Sequence, residues 1–369
     1  MNIVIVNCFD TWEQRVDLLY KVLTEGGHKV RVFCSDYRHF EKIRRTESKT
    51  GYKFFTAEPY KKNLSLSRLH SHIQLSNDIF SYIENNVDSI DLLWVLAPPN
   101  QFVADSTALK RKYSHLKLII DLIDLWPETM PFGMLKSMLG IWKQKRDKNL
   151  KYADIVVTEC NLYREVLGST LSDIKTETLY LARESKIYQP NLQLPKNELS
   201  LCYLGSINNI IDINCISEII KSIRKVQNVT LHIIGDGERK DKLKRKASRA
   251  GAVVIDHGKI YDAIEKQKII DQCHFGLNIM KKTVCVGLTM KSIDYFEGGL
   301  PIINNIHGDT WEAVEKFDLG INWNKQNNII YQEVWRVKSR EFFEKYLTEN
   351  IFKEKVSNLL AHALIYTTE

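Results

Sequence analysis

The chain has 369 residues, 44% hydrophobic and 26% charged, with a formal net charge of +7. This length exceeds one ordinary core and suits two domains of a globular protein. No run of about 18 apolar residues occurs, which excludes a helix that crosses a membrane as a feature of the sequence. Apolar β-branched runs alternate with helical patterns, as in βα units around parallel sheets. MNIVIVNCFD lacks a basic lead-in and reads as a buried strand at 2–7 rather than a signal peptide. A helix over 12–25 stops at Gly26-Gly27, followed by a strand at 29–34 and a helix over 66–85. Strands at 92–97, 116–122 and 155–158 complete the first half. The pattern breaks over 188–200, where two prolines and polar residues mark a linker at 190–198. Alternation then resumes: strand 199–204, helix 213–225, strand 229–234, helix 239–250, strand 252–256, helix 261–272, strand 274–279. A further helix and a PIIN strand follow, and 334–363 is an amphipathic tail in one or two pieces. The expected domains are 1–189, 199–345 and a terminal helix 346–369.

The seven cysteines stand singly, with no CxxC and no Cys/His ligand spacing, so a metal site or disulfide framework is not expected. The odd count fits a reducing, cytoplasmic setting. Positive charge is concentrated in the first half. Residues 37–68 carry nine Lys/Arg against Glu41, Glu47 and Glu58, and 136–151 is basic with Asp147 as its only acid. Aromatic and apolar residues, among them Phe40, Phe54, Phe55, Met138 and Trp142, are interleaved. The stretches are either a solvated face or a surface for anionic lipid headgroups or a phosphorylated acceptor. No recognition motif for nucleic acid accompanies them.

Ligands of open parallel sheets bind at the carboxyl ends of strands, so the strand-to-helix loops hold the candidate chemistry. Asp10, Thr11 and Trp12 follow the first strand without a GxGxxG fingerprint; they cap the helix or meet an acceptor hydroxyl and ring. In DLIDLWPE, Asp124, Trp126 and Glu128 lie beyond the strand. Asp124 either caps a turn or orients an acceptor hydroxyl, and Trp126 either packs in the core or stacks on a sugar. In the second half, Gly205-Ser206 and Gly235-Asp236-Gly237 end adjacent strands, with Arg239 opening a basic helix. Such turns let backbone approach a ligand and offer N–H groups to phosphate, although GDG also serves as a plain turn. The third loop carries Lys282 and then Gly287-Leu288-Thr289, where Thr289 caps a helix whose first turn holds Lys291. A lysine there opposes the helix dipole, which an anion would offset. Asp294, one turn later, can accept from a ribose hydroxyl.

At YLGSI, HIIGDGER, HFGLNI, GLTMKSIDYFEGGLPII and DLIDLWPE the chain resembles the large retaining group of GT-B glycosyltransferases that build bacterial polysaccharides. The resemblance is clearest over 119–314. It implies an α/β fold of two Rossmann-like, doubly wound parallel-sheet domains facing across a cleft. The second domain would hold the nucleoside-diphosphate sugar donor and the first a glycan or lipid-linked acceptor. The last helix would cross back to the first domain. No cofactor or metal is obligatory in this family, and an inner-membrane surface is a further expected partner. Asp294 matches the second glutamate of the E-x7-E motif, whose first position falls at Val286, which is not acidic. The arginine and lysine usual after the YLG strand are missing from GSINN, which leaves Lys291, Lys282 and Arg239 to meet the pyrophosphate. The resemblance thus implies sugar transfer with retention, with Lys291 stabilising the leaving group and Asp124 assisting the acceptor. A non-catalytic GT-B partner subunit and a nucleotide-sugar epimerase are the alternatives. A dehydrogenase is disfavoured by the missing glycine fingerprint.

Overall fold

The computed structural model describes residues 1–62, 65–129, 140–186, 194–195, 197–325 and 328–365. The expected linker falls largely outside these residues, as do Lys136 and Met138 of the second basic stretch. The chain divides into two compact units, Met1–Tyr180 with Phe352–Glu369, and Leu181–Ile351.

The first unit contains strands β1 (Asn2–Asn7), β2 (Lys29–Ser35), β3 (Tyr37–Arg38), β4 (Ile43–Arg44), β5 (Tyr52–Phe55), β6 (Leu92–Ala97), β7 (Lys117–Leu122), β8 (Ile155–Thr158) and β9 (Thr176–Thr178). Helices α1 (Glu13–Glu25), α2 (Leu66–Glu84), α3 (Asn100–Lys112), α4 (Gly140–Leu150) and α5 (Asn161–Leu167) alternate with them. Seven strands form one parallel sheet in the order β5-β2-β1-β6-β7-β8-β9, and β3-β4 is a separate antiparallel ribbon. Every residue of β6, LLWVLA, is buried, as a strand covered on both faces requires. The edge strands β5 and β9 were not evident in the sequence because they are three or four residues long and carry no apolar run.

A charged group crosses this core. Arg15 of α1 donates Nε and Nη2 to Asp121 of β7 at 2.9 and 2.8 Å, and Nη1 to the Leu179 carbonyl at 2.8 Å. Trp94 of β6 adds its indole N–H to the same carboxylate at 3.0 Å. The pair has side-chain exposures of 1% and 0%, so its hydrogen bonds replace water entirely.

The second unit runs β10 (Glu198–Leu204), α6 (Ile213–Arg224), β11 (Asn228–Ile234), α7 (Lys240–Arg249), β12 (Val253–Gly258), α8 (Ala263–Ile270), β13 (Phe275–Asn278), α9 (Met290–Glu297), β14 (Ile302–Asn304), α10 (Asp309–Phe317), β15 (Gly320–Asn322) and α11 (Val334–Tyr346). Its six strands are all parallel, in the order β12-β11-β10-β13-β14-β15. In α6 the buried Ile213, Ile216, Ile219, Ile220 and Ile223 form one apolar stripe, and Asp212 caps the helix by accepting from the N–H groups of Asn214 and Cys215. Arg336 of α11 is fully buried and donates to the carbonyls of Ile270 and Cys273 at 2.8 and 2.7 Å, placing a cation at the carboxyl end of α8. The amphipathic tail is broken at Leu347-Thr348, after which α12 (Glu349–Ile365) begins. Among the described residues no helix is long and apolar enough to cross a membrane.

Candidate functional site

The loops at the carboxyl ends of β10 and β11 interlock. Gly205 N–H donates to the Ile234 carbonyl at 2.8 Å, and Ile207 N–H to the Asp236 carbonyl at 2.9 Å. Gly235 has φ +147°, and a Cβ there would lie 2.1 Å from the Gly205 carbonyl oxygen; at Gly237 it would lie 2.4 Å from that of Ile207. The glycines therefore serve the close approach of one loop to the other. Asp236 accepts from Gly237 N–H at 2.8 Å, with Lys259 3.7 Å away. Arg239 stands just before α7 and its N–H donates to the Ile207 carbonyl.

Lys291 lies beside this pair of loops. Its stem passes Gly205, where an added Cβ would meet its Cγ at 3.6 Å. Its ammonium donates to the Tyr203 hydroxyl at 3.0 Å and sits 4.6 Å from that ring's centre. Tyr203 in turn donates to the Ser206 carbonyl at 2.8 Å. Lys291 is 9% exposed, and burial pushes its ammonium down to about 7. An ordinary helical lysine would be solvated, so a side chain held this way is ready to be charged by an anion.

Thr289 caps α9 through a capping box with Ser292, accepting from Ser292 N–H at 3.1 Å. Its hydroxyl donates to Asn278 Oδ1 at 2.7 Å, so the side chain expected to reach a pyrophosphate is already engaged. The loop before it is anchored as well: the Gly287 carbonyl accepts from the N–H and hydroxyl of Thr310 at 2.9 and 2.6 Å, and Leu288 is buried. The capping box uses the N–H groups of Thr289 and Ser292, which leaves those of Met290 and Lys291 as the donors at the helix start. Lys282 is exposed. Asp294 accepts from Arg183 Nε at 3.3 Å, an ion pair with side chains 13% and 18% exposed. The sequence reading missed Tyr203, Asn278 and Arg183; the last lies 111 positions from its partner, and only the fold brings them together.

In the first unit, Asp10 and Thr11 lie in a short 3-10 turn before α1 and neither caps that helix. Asp10 instead accepts from His39 N–H at 2.8 Å. Trp12 has a buried indole nitrogen with no hydrogen-bond partner among the described residues. The three acids of DLIDLWPE have three different fates. Asp121 pairs with Arg15, as described above. Glu128 receives Arg146 through two nitrogens at 3.0 and 2.8 Å; although burial draws its carboxyl upward, that guanidinium holds it below the usual range. Its two oxygens are thus already engaged by a buried arginine. Asp124 has a buried Oδ1 with no hydrogen-bond partner among the described residues, and burial raises its carboxyl above the usual range. Trp126 packs edge-on to Trp142 at 6.5 Å and lines a groove.

The basic stretch at 37–68 is partly neutralised from within the unit. Arg38 pairs with Glu47 and Glu41, Arg44 with Asp36, Arg45 with Glu13, and Lys49 with Asp17. Among the described residues no group of three or more His, Cys, Asp or Glu is placed to hold a metal ion.

No protein-family model matches the sequence, and no curated protein matches it significantly. Solved structures do match along the full length. The lipopolysaccharide outer core galactosyltransferase WaaB superposes with a TM-score of 0.67 at 13% identity, covering 99% of this chain and 100% of that one. Anabaena HepE in complex with UDP gives 0.65 at 11% identity over 98% and 100%. OtsA in its apo form gives 0.65 at 9% identity over 97% and 99%. With two α/β units, each built on a parallel main sheet, that match these structures from end to end, the chain has the GT-B fold.

Proposed function

We propose that the protein is a glycosyltransferase that moves a sugar from a nucleoside-diphosphate sugar to an acceptor hydroxyl, with retention, in the synthesis of a cell-surface polysaccharide. The observation that carries this reading is the buried Lys291 ammonium beside the Gly205 and Gly235 loops, in a chain that matches sugar-nucleotide enzymes over its whole length. HepE has been captured with UDP and with UDP-glucose, which makes a uridine donor the first to try.

In this reading Lys291 and the N–H groups of Met290 and Lys291 receive the pyrophosphate, and negative charge developing on the leaving group strengthens those contacts. Asp294 accepts from the ribose while Arg183 fixes its carboxylate. Gly205, Ser206, Gly235, Asp236, Gly237, Gly287, Leu288 and Thr289 shape the donor site, with Arg239 and Lys282 as peripheral cations. Asp124 assists the acceptor hydroxyl; its raised affinity for a proton suits an orienting group that can also take one up. Asp10, Thr11, Trp12 and Trp126 line the acceptor side. The protein would work in the cytoplasm, in peripheral contact with the inner membrane face through its basic surface. Liposome sedimentation is expected to show binding that needs anionic lipid and weakens with salt. Binding indifferent to both would remove the membrane from the reading.

The central test is a thermal-shift screen of nucleoside diphosphates and their sugars, because a ligand that binds only the folded state raises the melting temperature. UDP or UDP-glucose is expected to raise it, and Asp294→Ala to diminish the shift. No shift with any nucleoside diphosphate would overturn the proposal, and an unchanged shift in the variant would remove the ribose role. A second prediction concerns Asp124→Asn, which keeps the shape but cannot accept a proton. It is expected to lower kcat by about 10²–10⁴-fold, the usual worth of a positioned acid or base, while UDP binding stays unchanged.

A further inference from the structure

One groove in the first unit has no role in the donor chemistry. It has a volume of about 330 Å3 and lies between the amino-terminal half of α2, the turn from β6 to α3, the loop after β7, and α4. Its walls are Leu69, Ile73, Pro98, Pro99, Trp126 and Trp142, and Leu66, also on its lining, is 84% exposed.

The polar side chains on the lining decide what the groove can hold. Asn100 donates to the carbonyls of Trp126 and Trp142 at 3.2 and 3.0 Å. Gln101 donates to Asp105 at 2.9 Å and accepts from Lys145. Ser65 caps α2 by accepting from Arg68 N–H at 3.2 Å. His72 is 8% exposed and held neutral, by burial first and by Arg68 second. These groups hold the groove together. A glycan needs many outward-facing donors and acceptors, because each of its hydroxyls loses water on binding. The walls offer an aliphatic chain what it needs, which is apolar area removed from water.

The charge around the groove supplies the other half. Arg68 is on the lining, and the loop after β7 that gives the groove its Trp126 wall carries Asp124 two residues earlier. On α4, Lys143 is half-exposed and Lys145 has its ammonium 5.5 Å from the Trp142 ring, while Ile141 is 76% exposed. An apolar slot edged by cations, with a basic helix carrying an exposed isoleucine alongside, complements an alkyl chain that ends in an anionic group.

We infer that this groove binds the aliphatic chain of a lipid acceptor, with the phosphate that joins chain to acceptor lying toward Arg68 and the reacting hydroxyl toward Asp124. The inference rests on the glycosyltransferase reading, since that gives the groove its acceptor. The probes are n-alkyl phosphates of six, eight and ten carbons, below their micelle concentrations, with inorganic phosphate as control. Affinity by titration calorimetry is expected to rise about fourfold per methylene, roughly 200-fold from hexyl to decyl, as burial of each CH₂ predicts. Leu69→Gln and Ile73→Gln, both on half-buried positions, are expected to flatten that dependence. Affinity independent of chain length, or a dependence unchanged in both variants, would overturn the inference. UDP thermal shifts on the same samples keep the two questions apart. A retained UDP shift with no chain-length effect sinks only the lipid groove, and an absent UDP shift sinks the donor reading. A retained shift in the glutamine variants also shows that they are folded.

Discussion

Replacing Lys291 with alanine is expected to lower kcat/KM for the sugar donor by about 10²–10³-fold, the cost of removing one preorganised donor from a developing anion. The expected size follows from what is missing around it. GSINN, after the strand beside it, supplies neither an arginine nor a lysine, so little else shares the load. Lys291→Met separates binding from stability. It removes a buried ammonium that rests on the Tyr203 ring and hydroxyl, and should hold or raise the melting temperature while abolishing the UDP shift. The pH dependence has a definite sign. Burial lowers Lys291 from 10.5 to about 7, so the folded chain holds fewer protons than the unfolded chain between those values. Its contribution to stability is therefore least favourable below pH 7 and improves as pH rises through that window. Donor binding runs the other way. A pyrophosphate favours the ammonium, so above pH 7 binding must take up a proton and affinity falls by up to about tenfold per pH unit. Calorimetry of UDP binding at pH 8 in Tris and in HEPES should give enthalpies that differ with buffer protonation. Equal enthalpies, or an affinity flat from pH 7 to 9, would sink the assignment of Lys291 to the phosphates.

Much of the fold around this candidate site is legible in the sequence, and the illegible part has a common cause. The strand runs are apolar on both faces, and sequence patterning reads such runs well. Thr289 and Gly298 bracket α9 with local signals, so that helix was also readable. Lys291 stood out because a lysine in a first helical turn is electrostatically misplaced. Its burial did not stand out, since that depends on Tyr203, 88 positions away. The glycines read as turns, yet the atom each must clear belongs to the neighbouring loop. The acids of DLIDLWPE look alike in sequence. Arg15, 106 positions distant from Asp121, and Arg146, 18 from Glu128, give them different meanings. What remains after that sorting is Asp124, the one acid of the three with a buried oxygen lacking a partner among the described residues.

Asp121→Asn is expected to cost about 3–5 kcal/mol of stability, the penalty for leaving a buried partner charge uncompensated. Arg15 would keep its bond to the Leu179 carbonyl and one contact to the asparagine amide oxygen, but its other nitrogen would face an amide NH2 and its charge would be uncompensated, with no water to replace the lost acceptor. The asparagine amide could also turn a donor toward the Trp94 indole N–H, adding a second mismatch. At roughly 2–4 °C per kcal/mol for a unit of this size, the melting temperature should fall by on the order of 10 °C. Urea unfolding of a double-mutant cycle decides the cause. Because removing both charges leaves neither one stranded, Arg15→Met combined with Asp121→Leu should be far less damaging than the sum of the single variants. Additive losses would mean that each side chain acts through packing alone. By contrast, the Arg183–Asp294 pair retains side-chain exposure on both members, so its loss should cost well under half as much stability. That difference lets Asp294→Ala report on nucleotide binding in a protein that is still folded, whereas any variant of Asp121 would confound the two.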